Sequence, residues 1–91
     1  METVKKLTVD EHIANEHDIL SKNLQIIRAD KGFTRQQFAD YCNVGITTIE
    51  RIERSKKPTS MSTLSRIAHA CGLDTWALLM PHDRMFVFRK K

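Results

Sequence analysis

Four side chains stand together at helical spacing with chemistry suited to a polyanion: Ile46, Thr47, Thr48 and Arg51. The threonines carry hydroxyls and methyls, the isoleucine can touch a thymine methyl, and the arginine can reach guanine or a phosphate. Small hydrogen-bonding groups beside one long cation are what a helix needs to enter the major groove of B-DNA without steric excess. Gly45 precedes them and leaves the amides at that helix start clear for a phosphate. Arg35, Gln36, Lys56 and Lys57 lie on either side in the sequence and are phosphate candidates, contacts that position a domain without reading bases. The bland alternative for the whole group is a solvated helix face.

Other chemistries are poorly served. Cys42 and Cys71 fall on inward faces, where a thiol packs as a small hydrophobe, and two cysteines do not make a disulfide framework. His12, His17, His69 and His82 lack metal spacing with either cysteine, and His12 and His17 do not share a helix face. No Ser/His/Asp or Cys/His set has a supporting motif, and no glycine loop could cradle a phosphate. No catalytic residue, cofactor or metal site is therefore assigned, and an enzyme is not expected.

The elements that must position these residues can be read along the chain. Thr8 and Glu11 form a capping-box pattern, so a helix begins near Val9. Ile13, Leu20, Leu24 and Ile27 recur at helical spacing, flanked by Ala14 and Ile26. One helix running to Lys31, or two meeting near residues 18–21, fits equally, with Gly32 as the stop. Thr34 caps a segment from Arg35 to Cys42 with Phe38, Ala39 and Cys42 inward, and Asn43 fills the left-handed slot at its end. After Val44 and Gly45, the stretch Ile46 to Arg54 puts Ile49 and Ile52 inward and Thr47, Thr48 and Arg51 outward. A basic loop, residues 55–59, breaks the pattern. Ser60 or Thr59 caps a helix with Met61, Leu64, Ile67, Ala68 and Cys71 inward, stopped by Gly72. Asp74 caps a short last helix that offers Trp76 and Leu79 to the core, and Pro81 ends it. Met85–Phe88 is a short apolar run that reads as a strand.

Bulk composition bounds this picture. Ninety-one residues suit one domain, with 41% hydrophobic and 29% charged residues, a globular balance. Three glycines and two prolines argue against an all-β architecture. No apolar run approaches the roughly 18–20 residues that span a bilayer. The first six residues do not read as a secretory signal, so a cytoplasmic location without membrane partners is expected. The net charge of +4 is uneven. Residues 1–20 hold two lysines against five acids, whereas residues 21–91 hold 13 basic side chains against six acids. A basic body behind an acidic leader suits a polyanion partner that the leader does not face.

Two short helices joined by a turn of three or four residues, the second with its polar face outward, form a helix-turn-helix layout. From residue 20 to residue 79 the sequence resembles the Cro/C1-type (XRE-like) helix-turn-helix regulators. Residues 20–34 look like the family's first helix and its R-x-x-K-G-[LF]-[ST] ending, here Arg28, Lys31, Gly32, Phe33 and Thr34. Phe38-Ala39 matches the Leu-Ala pair of the second helix. Val44 with Ile49, Ile52 and Glu53 resembles the recognition helix, and Thr63 to Leu73 resembles the fourth. Departures are plain: Arg35 stands where the family usually has glutamine, Asn43 replaces the turn glycine, Ser55 replaces a glycine after the glutamate, and Pro58 comes one residue early.

The resemblance implies an all-α fold, a five-helix lambda-repressor-like DNA-binding bundle with an N-terminal extension and a short strand-like C-terminal tail. It divides the chain into an extension over 1–18, helical from residue 9, a DNA-binding domain over 19–80, and a tail over 81–91. Arg28 and Glu53 are implied to meet as a structural ion pair. The function implied is sequence-specific double-stranded DNA binding by a dimeric transcriptional repressor that inserts the helix 46–54 into the major groove of a palindromic operator, in a bacterial or phage setting. Phe86, Val87 and Phe88 are the dimerisation candidates, as a strand pairing with its twin or with residues 3–9 of the same or a partner chain; the bland alternative is a tail that folds back and caps the bundle. The alternative is a protein-interaction module, such as an antitoxin or co-regulator, that uses the same fold and holds a partner through its termini.

Overall fold

The computed structural model describes residues 7–55 and 59–81. The phosphate candidates Lys56 and Lys57, and the dimerisation candidates Phe86, Val87 and Phe88, lie outside the described residues. Among the described residues four α-helices run in order: α1 (Val9–Lys31), α2 (Arg35–Cys42), α3 (Ile46–Glu50) and α4 (Met61–Cys71). A π-helical turn, Arg51–Ser55, continues α3 directly, and a 3₁₀ helix, Thr75–Leu79, follows α4. Among the described residues there is no β-strand.

Local chemistry accounts for the boundaries. Thr8 and Glu11 complete the first capping box: the Glu11 amide donates to Thr8 Oγ1 at 3.2 Å, and the Thr8 amide donates to Glu11 Oε1 at 3.1 Å. Thr34 and Gln37 repeat the device at α2, with distances of 3.1 and 2.9 Å. Ser60 takes the cap of α4, accepting from the Thr63 amide at 3.2 Å. Gly32 and Gly72 close α1 and α4 at φ 70°, and Asn43 closes α2 at φ 56°, the left-handed conformation that asparagine tolerates better than most residues.

Between the two alternatives for the first segment, the fold takes the single helix, 23 residues long and unbroken at position 18. At 1.5 Å per residue it spans about 34 Å. Its stripe is buried only from Leu20 onward, through Leu24 and Ile27. Ile13, expected in the same stripe, is 44% exposed because the helix has run past the body at that point.

The core gathers Leu20, Leu24 and Ile27 from α1 with Phe38, Ala39 and Cys42 from α2. Ile49 and Ile52 come from the stretch beyond the turn, Leu64, Ile67 and Ala68 from α4, and Leu73, Ala77 and Leu78 from the C-terminal segment. Two further inward assignments do not hold. Met61, the first residue of α4, is 67% exposed, and burial along that helix begins only at Leu64. The last segment winds as a 3₁₀ helix of about three residues per turn, which turns Ala77 and Leu78 inward and leaves Trp76 half exposed. The stretch 46–54 is not one α-helix either. It widens to a π turn where tertiary contacts take hold of Glu53 through both its carboxylate and its carbonyl, and these outweigh the α pitch.

Candidate nucleic-acid interface

The helix-turn-helix unit is α2, the turn Asn43–Gly45 and α3. The turn is fixed from inside by the Val44 amide donating to Ala39 O at 3.0 Å, while Asn43 donates to Asp40 O at 3.2 Å. Phe38 and Ala39 of α2 and Ile49 of α3 are fully buried, so the angle between the helices rests on the core and the outer face of α3 takes no part in it.

Of the candidate base-reading residues, Thr47 and Arg51 are exposed and lie one turn apart. Thr48 and Ile46 are half-buried, and Ile46 also packs against the core. Gly45 adopts an extended conformation (φ −73°, ψ 150°) at the N-cap of α3, and a Cβ there would meet nothing within 4 Å. Its value is therefore openness in front of the helix and not backbone strain.

Glu53 organises the far end of this stretch. Its side chain is fully buried, and three nitrogens converge on the carboxylate. Arg28 Nε donates to Oε2 at 3.0 Å and Nη2 donates to Oε1 at 3.1 Å, a two-pronged fit, while Nη1 donates to Phe33 O at 3.1 Å. Arg35 Nε adds a third bond, to Oε1 at 3.0 Å. The Glu53 carbonyl accepts from Ser21 Oγ at 2.9 Å and from Gln25 Nε2 at 3.5 Å. One residue thus ties α1 and α2 to the end of the recognition stretch, a scaffold role.

Arg35 is the residue whose surroundings were least foreseeable. Its Nε is committed to Glu53, although a third of the side chain remains exposed. Gln36, on the outer surface of α2, donates through Nε2 to Asp40 Oδ1 at 3.0 Å. Arg54, exposed and a few residues beyond Arg51, was not singled out from the sequence, because the basic loop next to it drew the same reasoning. Asn23 was missed too. It is fully buried, and its Nδ2 donates to Leu78 O at 2.7 Å and Met80 O at 2.6 Å, pinning the end of the C-terminal segment to α1. A polar residue inside an apolar stripe was the available signal.

Among the described residues no cluster of histidine, cysteine or carboxylate side chains is arranged to hold a metal ion. No helix among them is long and apolar enough to cross a membrane.

Comparison with known proteins agrees with this architecture. A family model described as helix-turn-helix matches residues 24–75, more than half of the chain. A relative from Neisseria meningitidis serogroup B, described as a Neisseria hypothetical transcription factor, is 28% identical over 79 residues, covering 84% of this chain and 74% of the relative. The crystal structure of hypothetical transcription factor NHTF from Neisseria has a TM-score of 0.67 at 21% identity, covering 94% of this chain and 95% of that one, a likeness of fold.

Proposed function

The chain belongs to the Cro/C1-type helix-turn-helix family of non-enzymatic DNA-binding transcription regulators, and on that premise we propose that it is a sequence-specific, dimeric, cytoplasmic repressor. The stretch 46–54 enters the major groove of double-stranded DNA, Thr47 and Arg51 meet base edges, and Thr48 and Ile46 line the rim of that contact. Gly45, Gln36, Lys56 and Lys57 contact the phosphates, joined by the part of Arg35 that Glu53 leaves available. To do so, Gln36 exchanges its bond to Asp40 for one to a phosphate oxygen. Residues 19–80 act as the DNA-binding unit. The tail over 81–91 supplies the dimer contact through Phe86, Val87 and Phe88, which gives two recognition helices for a palindromic operator. Repression follows from occupancy.

The observation that carries this reading is the exposure of Thr47 and Arg51 on a helix whose inner side is fixed by Ile49, Ile52 and Glu53. Selection of bound duplexes from a random pool, with the mass of the complex measured, tests it. The expected result is a two-fold-symmetric sequence bound by two chains. Absence of any enriched sequence contradicts the specificity, and one chain on one half-site contradicts the dimer. The logarithm of the binding constant should fall with the logarithm of salt concentration, with a slope of about −0.9 per phosphate neutralised. A flat isotherm would remove DNA from the account.

A further inference from the structure

Cys42 and Cys71 close two helices in the same way. Each ends an Ala-x-x-Cys segment, Ala39 to Cys42 on α2 and Ala68 to Cys71 on α4. Each is followed by a left-handed residue and then by an apolar residue whose amide reaches back to the alanine carbonyl: Val44 to Ala39 at 3.0 Å, and Leu73 to Ala68 at 2.9 Å. Both alanines are buried, and with no side chain beyond Cβ they allow the two helix ends to pack closely. Cys42 lies in the core and Cys71 packs against the same core where α2 and α4 meet, which brings the two thiols together as interacting neighbours.

The pair is asymmetric. Cys42 is sealed in the core, whereas Cys71 is only partly buried and keeps a path to solvent. Lys31 lends positive potential to both thiols, and its ammonium lies over the Tyr41 ring, 5.1 Å from the centroid. The Cys42 hydrogen bond holds the Cys71 thiol below its ordinary range, with Lys31 acting in the same direction and burial against them. The same bond and burial push the Cys42 thiol up. A partly exposed thiol held below its ordinary range beside a sealed partner thiol is the arrangement of an attacking and a resolving cysteine.

We propose that Cys42 and Cys71 form a peroxide-sensitive modification site, at which oxidation joins the last turn of α2 to the last turn of α4 by an intramolecular disulfide. The Cys71 thiolate attacks one peroxide oxygen, the O–O bond breaks, and Cys71 becomes a sulfenic acid as hydroxide leaves. The Cys42 sulfur then attacks the Cys71 sulfur. The S–S bond forms, the S–O bond breaks, and the departing hydroxide takes the Cys42 proton as water. Two thiols are oxidised and one peroxide is reduced to two waters. The new bond encloses α3 and the π turn in a covalent loop, and the site exists whether or not α3 reads DNA.

The test uses the reduced full chain treated with hydrogen peroxide, then unfolded, alkylated with N-ethylmaleimide and weighed. The expected product is a single chain lighter by two hydrogen atoms, with no maleimide adduct, that regains two adducts after reduction. Cys42→Ser should stop at the sulfenic acid on Cys71 and be captured there by dimedone, and Cys42→Ala, which keeps the site apolar, should do the same. Cys71→Ser should leave Cys42 as a thiol without a dimedone adduct. Two maleimide adducts on the oxidised wild type, over-oxidation of Cys71 without a disulfide, or a disulfide between two chains would each overturn the proposal.

Discussion

The five residues of α3 and the five of the π turn that follows it are continuous in the chain and opposite in design. In α3, Thr47 faces solvent and the only fully buried side chain is Ile49. In the π turn, Ile52 and Glu53 are both buried, and Glu53 is held through its carboxylate by Arg28 and Arg35 and through its carbonyl by Ser21. Ile49, Ile52 and Glu53 fix the stretch to the body of the protein, and Thr47 of α3 and Arg51 at the start of the π turn are thereby left free of structural duty. A surface that reads DNA has to be rigid without using its own outward side chains for rigidity, and the buried residues supply that condition. Substitutions in the two groups should therefore fail in different assays.

The largest effect belongs to the buried carboxylate. Glu53→Ala leaves two half-buried guanidinium groups facing each other, and loss of one partner of a buried pair costs about 3–5 kcal/mol. Chemical denaturation should show that loss directly, while any DNA-binding deficit should track the unfolded fraction. A stability change below about 0.5 kcal/mol would break the contrast, because Glu53 would then be no more structural than a surface residue.

Arg35 of α2 combines both roles, since it bonds to Glu53 while a third of its side chain stays exposed. Arg35→Ala removes one of three bonds to Glu53, for which about 1 kcal/mol is expected after allowing for its exposure. It should also weaken binding to all duplexes alike and make the salt slope shallower by about 0.9, the signature of a lost phosphate contact. Loss of stability with an unchanged slope would assign Arg35 wholly to the scaffold.

Thr47→Ala is a smaller change on the free side. It should reduce affinity for a selected duplex by about 1 kcal/mol and leave the melting temperature unchanged, as judged by titration and thermal unfolding. A shift in melting temperature with unaltered affinity would place Thr47 in the structural group.

The smallest effect lies at the start of α1, far from either group. The bond from the Thr8 amide holds the Glu11 carboxyl below the usual carboxylate range. A depressed carboxylate stabilises the folded form above its unfolded pKa, and that contribution is lost as pH falls through the lower folded value. Acidification from about pH 5 to about pH 2 should therefore release the first turn of α1, visible as faster amide exchange there. Glu11→Gln should remove that pH dependence while the core amides keep theirs.

The sequence made much of this legible where one residue type has one physical use. Gly32, Asn43 and Gly72 mark helix ends because few residues tolerate positive φ, and Thr8, Thr34 and Ser60 mark helix starts because their hydroxyls accept free amides. Ile49 and Ile52 followed from periodicity. Legibility ended where tertiary contacts decide. Nothing local states that the helix carrying Ile13 outruns the body, that Trp76 turns outward in a 3₁₀ register, or that 51–55 widens into a π turn. At the interface, residue types pointed to Arg51 and Thr47, but the hold of Glu53 on Arg35 joins positions 18 residues apart, and only the fold brings them together.

The outward side chains of the stretch 46–54, Thr47 on α3 and Arg51 at the first position of the π turn, are proposed to read sequence while the buried Ile52 and Glu53 hold them in place. Arg51→Ala separates the two roles most directly. Affinity for a selected duplex and for a random duplex should be measured side by side with the melting temperature. The expected loss is about 1–3 kcal/mol on the selected duplex, roughly a 5- to 150-fold weakening, with little change on random DNA and an unchanged melting temperature. Equal loss on both duplexes would contradict sequence reading, because Arg51 would then contact only the backbone.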